Sequence, residues 1–193
     1  MNDNYYDYSG SLQSQAMQLR QQAGVKQDKL FIDNDVKPIL SSDSATINTL
    51  VTAAKAQQTR AATYGFSEVW VYGRDEAGSS DLILQRPSMS AIRSNGSPIW
   101  AATSSNLDAA SVAGDLIDMG VVSNKPSHST YNNETNIALW HAEGHDIVAY
   151  NGPQGGVENA SVYRDNYGLR NLYVGYDGMF DWVFQSHYAN SNL

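Results

Sequence analysis

Apolar positions near the end of the chain form two short runs, and Asp177 and Gly178 separate them. An Asp-Gly pair between apolar runs is a strong local signal for a tight β-hairpin. A two-residue turn places Tyr173 opposite Trp182, so that one side of the ribbon is aromatic. Large aromatic side chains need a partner layer, and the ribbon over residues 171–185 is therefore expected to be the floor of the fold.

Apolar residues recur at helical spacing in three segments, and a glycine follows each of them. The predicted helices span residues 11–23, 44–64 and 106–119. Ser44 is a good N-cap for the second helix, and Gly120 suits the position after the third. The apolar stripe of the second helix is rich in alanine, which favours close packing against a sheet.

Shorter apolar runs predict strands, and polar turns between them predict hairpins. The expected hairpins pair residues 66–72 with 81–85 and residues 136–142 with 145–150, and the second hairpin turns at Glu143 and Gly144. Single strands are expected at 30–32, 99–103 and 157–163. Helices come first and hairpins follow, with one inserted helix. This order favours an α+β fold with an antiparallel sheet, and the lack of regular βαβ alternation argues against a Rossmann-type fold.

The chain of 193 residues suits one domain that carries an N-terminal extension. Residues 1–43 are expected to form an arm, a short helix and an irregular connector. Residues 44–193 are expected to form the α+β domain. No internal repeat or low-complexity segment divides the chain further.

Charge and composition narrow the possible partners. Acidic residues outnumber basic ones by 20 to 12, which gives a net charge of −8 and disfavours binding to nucleic-acid phosphates. The absence of cysteine excludes disulfides and zinc–thiolate sites. No apolar run reaches the roughly 18 residues of a membrane-spanning helix, and the first residues lack the basic and apolar regions of a secretion signal.

The segment from His141 to Asp146 is the main candidate for chemistry. His141, Glu143 and His145 would share one face of a continuous strand, which makes them weak candidates for a divalent metal site. A hairpin turn at residues 143–144 instead places His141 opposite Asp146, and this ion-pairing arrangement is preferred. No cofactor is expected. One alternative function is a small histidine-dependent hydrolase or toxin-like enzyme in which His141, His145 and Asp146 act as acid and base.

Tyrosines in polar segments indicate surfaces that contact other proteins. They are Tyr5, Tyr6 and Tyr8 in the arm and Tyr188 near the end of the chain. The preferred prediction is a non-enzymatic structural protein that acts through subunit contacts in a homo-oligomer or larger assembly, such as a connector, tail or decoration protein of a phage or virus particle. A further alternative is an acidic inhibitor or immunity-type protein that covers a basic partner.

Overall fold

A computed structural model describes residues 10–32, 36–103, 106–123, 133–150 and 173–180. Helices and strands alternate along these residues. The helices are α1 (Gly10–Gln22), α2 (Ser44–Ala62), α3 (Ser79–Ser94), α4 (Asn106–Ala113) and α5 (Asn133–Ala142). The strands are β1 (Lys29–Ile32), β2 (Glu68–Tyr72), β3 (Ile99–Ala102), β4 (Met119–Ser123), β5 (Asp146–Tyr150) and β6 (Gly178–Phe180).

All six strands belong to one parallel sheet, in the order of the sequence from β1 to β6. Parallel neighbours need a crossover connection, and α2 to α5 provide four of these between β1 and β5. Buried residues of all five described helices belong to one core cluster with the strands, which places these helices on the same side of the sheet. Right-handed crossovers between successive neighbours produce this arrangement. The architecture is therefore α/β. Among the described residues, helices cover one face of the sheet, and strands form the opposite face.

The sheet is strongly curled. In a flat sheet of six strands, the two edge strands would lie about 24 Å apart. The rings of Phe31 in β1 and Phe180 in β6 instead have centroids only 5.9 Å apart. The strands thus form a half-barrel, with the helices outside and a concave face inside.

The predicted antiparallel sheet of hairpins is wrong. Asp177 and Gly178 do not turn a hairpin: the Asp177 N–H donates to the carbonyl of Ile147 (2.9 Å), and Gly178 begins a strand parallel to β5. The turn signal is local, whereas the pairing of β6 is decided by a strand about 30 residues earlier. The second half of the expected ribbon, 181–185, lies outside the described residues, as does the strand expected at 157–163.

Two other expected strands are helices. Residues 81–85 lie within α3, and residues 136–142 lie within α5, because short apolar runs fit a buried strand and one side of a helix equally well. Gly144, with φ +79°, follows the last turn of α5 instead of turning a hairpin. The helices expected at 11–23, 44–64 and 106–119 are present, although the last ends at Ala113.

Packing on the helix-covered face requires a glycine at position 120, which the sequence predicts to lie just after the third helix. Gly120 lies in β4 and does not follow a helix. A Cβ atom at this position would lie 2.6 Å from the Trp140 ring, so glycine allows the fully buried indole of α5 to rest on the strand. Alternate residues of the strands pack against the helices here, among them Leu30, Val71 and Ile147.

Among the described helices, none is long and apolar enough to cross a membrane.

Candidate functional site

The concave face carries a cluster of aromatic rings, which we call the aromatic floor. Its members come from four strands and are Phe31, Trp70, Tyr72, Trp100 and Phe180. Trp100 is central, with ring centroids 4.4 Å from Tyr72, 5.4 Å from Phe180 and 5.5 Å from Phe31. Side chains alternate between the two faces of a strand, so the parallel register brings these residues onto one face.

The floor is only partly covered. Trp70 and Tyr72 are 6% and 7% exposed, whereas Phe31, Trp100 and Phe180 are half-buried. Helix residues cover the other face of the sheet and do not contribute to this cluster among the described residues. The half-barrel therefore presents flat apolar rings to its interior.

Charged groups contact Trp70 near the amino ends of the strands. The Lys29 ammonium lies 4.7 Å from the centre of the Trp70 ring, and the indole N–H donates to Glu68 Oε2 at 2.7 Å. These contacts engage the Trp70 ring and its polar group within the protein. The more exposed rings, Trp100 and Phe180, lie farther toward the carboxyl ends.

Two neighbouring acids follow β2 at the carboxyl end of the sheet. The Tyr72 hydroxyl donates to Asp75 Oδ1 at 2.6 Å, and the Tyr150 hydroxyl donates to Glu76 Oε1 at 3.3 Å. Tyr150 ends β5, three strands away from β2 in the sheet. Glu76 therefore extends across the carboxyl end of the concave face.

Glu76 has a strained backbone. Its φ of +47° is the only positive value at a non-glycine residue in the described parts of the chain. A left-handed conformation costs a residue with a side chain on the order of 1–3 kcal/mol, and such residues are concentrated at functional sites. The surrounding contacts must therefore hold Glu76 in this conformation.

The loop that contains both acids is anchored on either side. The Arg74 N–H donates to Gln85 Oε1 of α3 (3.2 Å), and the Arg74 guanidinium contacts Asp81 at 3.3 Å. Ala77 forms a bridge with Thr103, directly after β3. These contacts fix the two ends of the loop and leave the side chains of Asp75 and Glu76 at the rim.

Two buried polar groups near the carboxyl ends of the strands have unused hydrogen-bonding capacity among the described residues. The indole N–H of Trp100 is buried and makes no hydrogen bond with the described residues, and the same is true of Thr103 Oγ1. Buried polar groups are normally paired. Within the described parts of the chain, the Trp100 indole N–H is therefore an unpaired donor in the aromatic floor. In α/β barrels and open parallel sheets alike, ligands bind at the carboxyl ends of the strands.

His141 lies at the opposite end of the sheet. Its Nε2 atom is 2.9 Å from Asp177 Oδ2, and the Ile147 N–H donates to the same oxygen at 2.8 Å. Asp177 thereby joins α5, β5 and the start of β6. His141 does not face Asp146 across a hairpin, because no hairpin exists there.

His145 and Asp146 lie at the start of β5. His145 Nδ1 is 4.0 Å from Asp118 Oδ1, and the Asp118 carboxylate accepts hydrogen bonds from the Ile99 N–H (2.8 Å) and Arg93 Nη2 (2.7 Å). The two histidines of the expected acid–base group therefore contact different aspartates: His141 contacts Asp177, and His145 lies near Asp118. Both of these aspartates bind backbone N–H groups at the amino end of the sheet.

The remaining expected residues give no cluster among the described parts. Glu143 is exposed in the turn after α5, and no group of three metal-ligating side chains is found in the described residues. The interface residues Tyr5, Tyr6, Tyr8 and Tyr188 lie outside the described residues. The assembly role, the histidine-dependent activity and the acidic inhibitor role therefore stay predictions.

Asp75 and Glu76 were missed because the sequence predicts a polar hairpin loop at residues 73–80. A signal was present: after the apolar run of β2, only Gly73 and Arg74 precede the two acids. That signal becomes informative only if the run is assigned to a parallel strand, whose carboxyl end is where ligands bind.

No protein-family model matches this chain, and no curated protein matches it significantly.

Proposed function

We propose that this protein binds a carbohydrate at the carboxyl end of its half-barrel and hydrolyses a glycosidic bond there. The observation that carries the proposal is the position of two neighbouring acids, Asp75 and Glu76, beside the partly exposed aromatic floor. A sugar ring has an apolar face that stacks on aromatic rings and a rim of hydroxyls that donate to carboxylates. Ligand sites in general combine an apolar lining with a few convergent polar groups.

Charge favours an uncharged, hydroxyl-rich ligand over an anionic one. The whole chain carries a net charge of −8. Near the site, Arg74 is paired with Asp81, and the Lys37 ammonium lies 5.4 Å from the centre of the Tyr72 ring. Recognition of phosphate or carboxylate normally needs basic groups directed at the ligand. The acids at the rim would repel such ligands and accept hydrogen bonds from sugar hydroxyls.

The two acids suit the chemistry of glycoside hydrolysis, which generally uses a pair of carboxyl groups. Asp75 accepts a short hydrogen bond from Tyr72, which orients its carboxyl group toward the positive charge that develops on the sugar. Glu76 makes a longer contact and is suited to give a proton to the departing oxygen. Water supplies the new hydroxyl on the anomeric carbon and restores the proton to Glu76.

The first test is binding measured by tryptophan fluorescence and by calorimetry, with neutral oligosaccharides and 4-nitrophenyl glycosides as probes. At least one probe should change the emission, because Trp100 lies in the floor. Trp100→Phe should remove most of this change while affinity falls only a few-fold, since an aromatic ring is kept. An unchanged emission response in Trp100→Phe, or no binding to any probe, would contradict the proposal.

The second part of the test concerns the reaction. Glu76→Gln should bind the same probe but hydrolyse it at least 100-fold more slowly, a typical loss for a missing general acid. Glu134→Gln is the matched control, because Glu134 is an exposed acid of α5. Equal turnover by Glu76→Gln and the wild-type protein would exclude Glu76 as the acid.

A further inference from the structure

We infer that Tyr150 is a positioning residue for Glu76. Its hydroxyl holds one carboxyl oxygen, Oε1, so that the other oxygen is directed to a ligand over the aromatic floor. The inference rests on the proposed function only for the role of Glu76 as an acid. The effect of Tyr150 on the loop that carries Glu76 can be measured without any ligand.

The topology makes this contact unusual. Glu76 follows β2 and Tyr150 ends β5, so the hydrogen bond connects residues 74 positions apart across the mouth of the half-barrel. The other loop contacts described above involve Arg74 and Ala77 and connect to neighbouring elements, α3 and the end of β3. Among the described residues, Tyr150 provides the hydrogen bond to the Glu76 side chain.

The strained backbone of Glu76 is a reason for the hydrogen bond from Tyr150 to matter. A residue at φ +47° returns to an ordinary conformation unless its surroundings hold it. The anchors at Arg74 and Ala77 limit the path of the loop, and Tyr150 adds a constraint at the strained residue itself. Without the hydroxyl, Glu76 can sample other orientations, and a small displacement of a catalytic group is costly in rate.

Tyr72 provides an internal comparison. Its hydroxyl donates to Asp75 at 2.6 Å, only three positions along the chain, so this contact is local to the end of β2. The Tyr150 contact exists only when the loop lies across the sheet. Each acid thus accepts a hydrogen bond from one tyrosine. Of these two tyrosines, only Tyr150 connects the loop to a distant strand and thereby maintains the position of the loop over the site.

Hydrogen exchange of the ligand-free protein tests the positioning directly. In Tyr150→Phe, which keeps the ring, the amides of residues 74–78 should exchange several-fold faster than in the wild-type protein. Tyr173→Phe is the matched control, because Tyr173 is 92% exposed, and it should leave this exchange unchanged. Wild-type exchange rates in Tyr150→Phe would overturn the inference.

A second variant covers the case in which Tyr150→Phe does not fold. Glu76→Ala removes the acceptor and leaves the Tyr150 ring in place. The Tyr150 hydroxyl then has no Glu76 carboxylate to donate to, and the amide hydrogens of the loop should again exchange faster. If Glu76→Ala folds and its loop exchanges as in the wild-type protein, the contact does not hold the loop.

The kinetic constants of Tyr150→Phe distinguish a positioning role of Tyr150 from a merely structural one. With a glycoside that the wild-type protein hydrolyses, Tyr150→Phe should lower kcat about three- to tenfold, the value of one hydrogen bond, with KM nearly unchanged. A change in KM alone would overturn the assignment. Faster exchange in Tyr150→Phe, together with no hydrolysis of any glycoside by the wild-type protein, would keep the positioning role and refute the proposed function.

Discussion

Glu76 combines a strained backbone with a place at the rim of the aromatic floor. The strain lowers stability, and the fold retains it at the position where an acid would be useful. Natural proteins commonly trade stability for function at such sites. The neighbouring Asp75 has no comparable strain, since positive φ in the loop is confined to Glu76 among the described non-glycine residues.

Replacing Glu76 by glycine should therefore stabilise the protein. Glycine adopts φ +47° without steric cost, and the relief should exceed the lost hydrogen bond from Tyr150. We expect the free energy of unfolding to rise by about 0.5–1 kcal/mol, measured by urea denaturation. The same variant should have no glycoside hydrolase activity.

Asp75→Gly is the control for this substitution. It removes the hydrogen bond from Tyr72 and relieves no positive φ, so it should lower the free energy of unfolding. If both glycine variants are destabilised to the same extent, the left-handed conformation of Glu76 does not store strain.

The packing of α3 against α4 depends partly on one ion pair. Arg86 of α3 contacts Asp115, just after α4, through two hydrogen bonds of 2.6 and 2.7 Å, and it also donates to the Val112 carbonyl. The hydrogen bonds from Arg86 hold the pKa of Asp115 below its ordinary value of 3.8. Such bidentate pairs are the better-defined ion pairs at protein surfaces.

This lowered pKa predicts a pH-dependent effect of Asp115→Asn. Because Asp115 ionises more readily in the folded protein, its charge stabilises the fold above pH 3.8, and this contribution is lost as the pH falls through the lowered pKa. The variant should be less stable than the wild-type protein at pH 7. The difference should shrink below about pH 4 in urea denaturation.

The control for this prediction is the same Asp115→Asn substitution made in a protein that already carries Arg86→Gln. In that background, Asp115→Asn should have little effect on stability at any pH, because the partner charge is absent. A difference that stays constant from pH 7 to pH 3 in the wild-type background would rule out the ion pair as its source.

The curl of the sheet brings its two edge strands together in the interior. Phe31 of β1 contacts Phe180 of β6, and both rings contact Trp100 of β3. The aromatic floor therefore links strands that do not share backbone hydrogen bonds. We expect this link to stabilise the concave shape on which the proposed site depends.

A double-mutant cycle measures that link. Phe31→Leu and Phe180→Leu should each destabilise the protein, and their combined effect should be smaller than the sum by about 0.5–1.5 kcal/mol, as for other aromatic pairs. The free energies come from urea denaturation of the four proteins. Strictly additive effects would mean that the edge strands are held independently and that the ring contact contributes nothing to the curl.

Several elements follow directly from local patterns. The helical spacing in residues 44–64 predicts α2, which the structure places at Ser44–Ala62. The predicted N-cap is wrong: Asp43 caps the helix by accepting a hydrogen bond from the Thr46 N–H, and Ser44 is the first helical residue. The apolar run before Gly73 predicts β2 with the correct end at Tyr72. In contrast, the runs at 81–85 and 136–142 have the composition of strands but lie in helices. Their length of five to seven residues does not separate the two conformations.

Local patterns in the sequence are enough to locate the segments that bury apolar residues, and the composition gives the acidic charge and the absence of thiol chemistry. The parallel pairing of the strands and the contacts of Phe31 with Phe180 and of Glu76 with Tyr150 become visible only in the folded chain. The physical reason is that periodicity records which side of an element is buried, but not what covers it. Strand pairing depends on the combined packing of segments far apart in the chain, and the site exists only where that pairing brings the strand ends together.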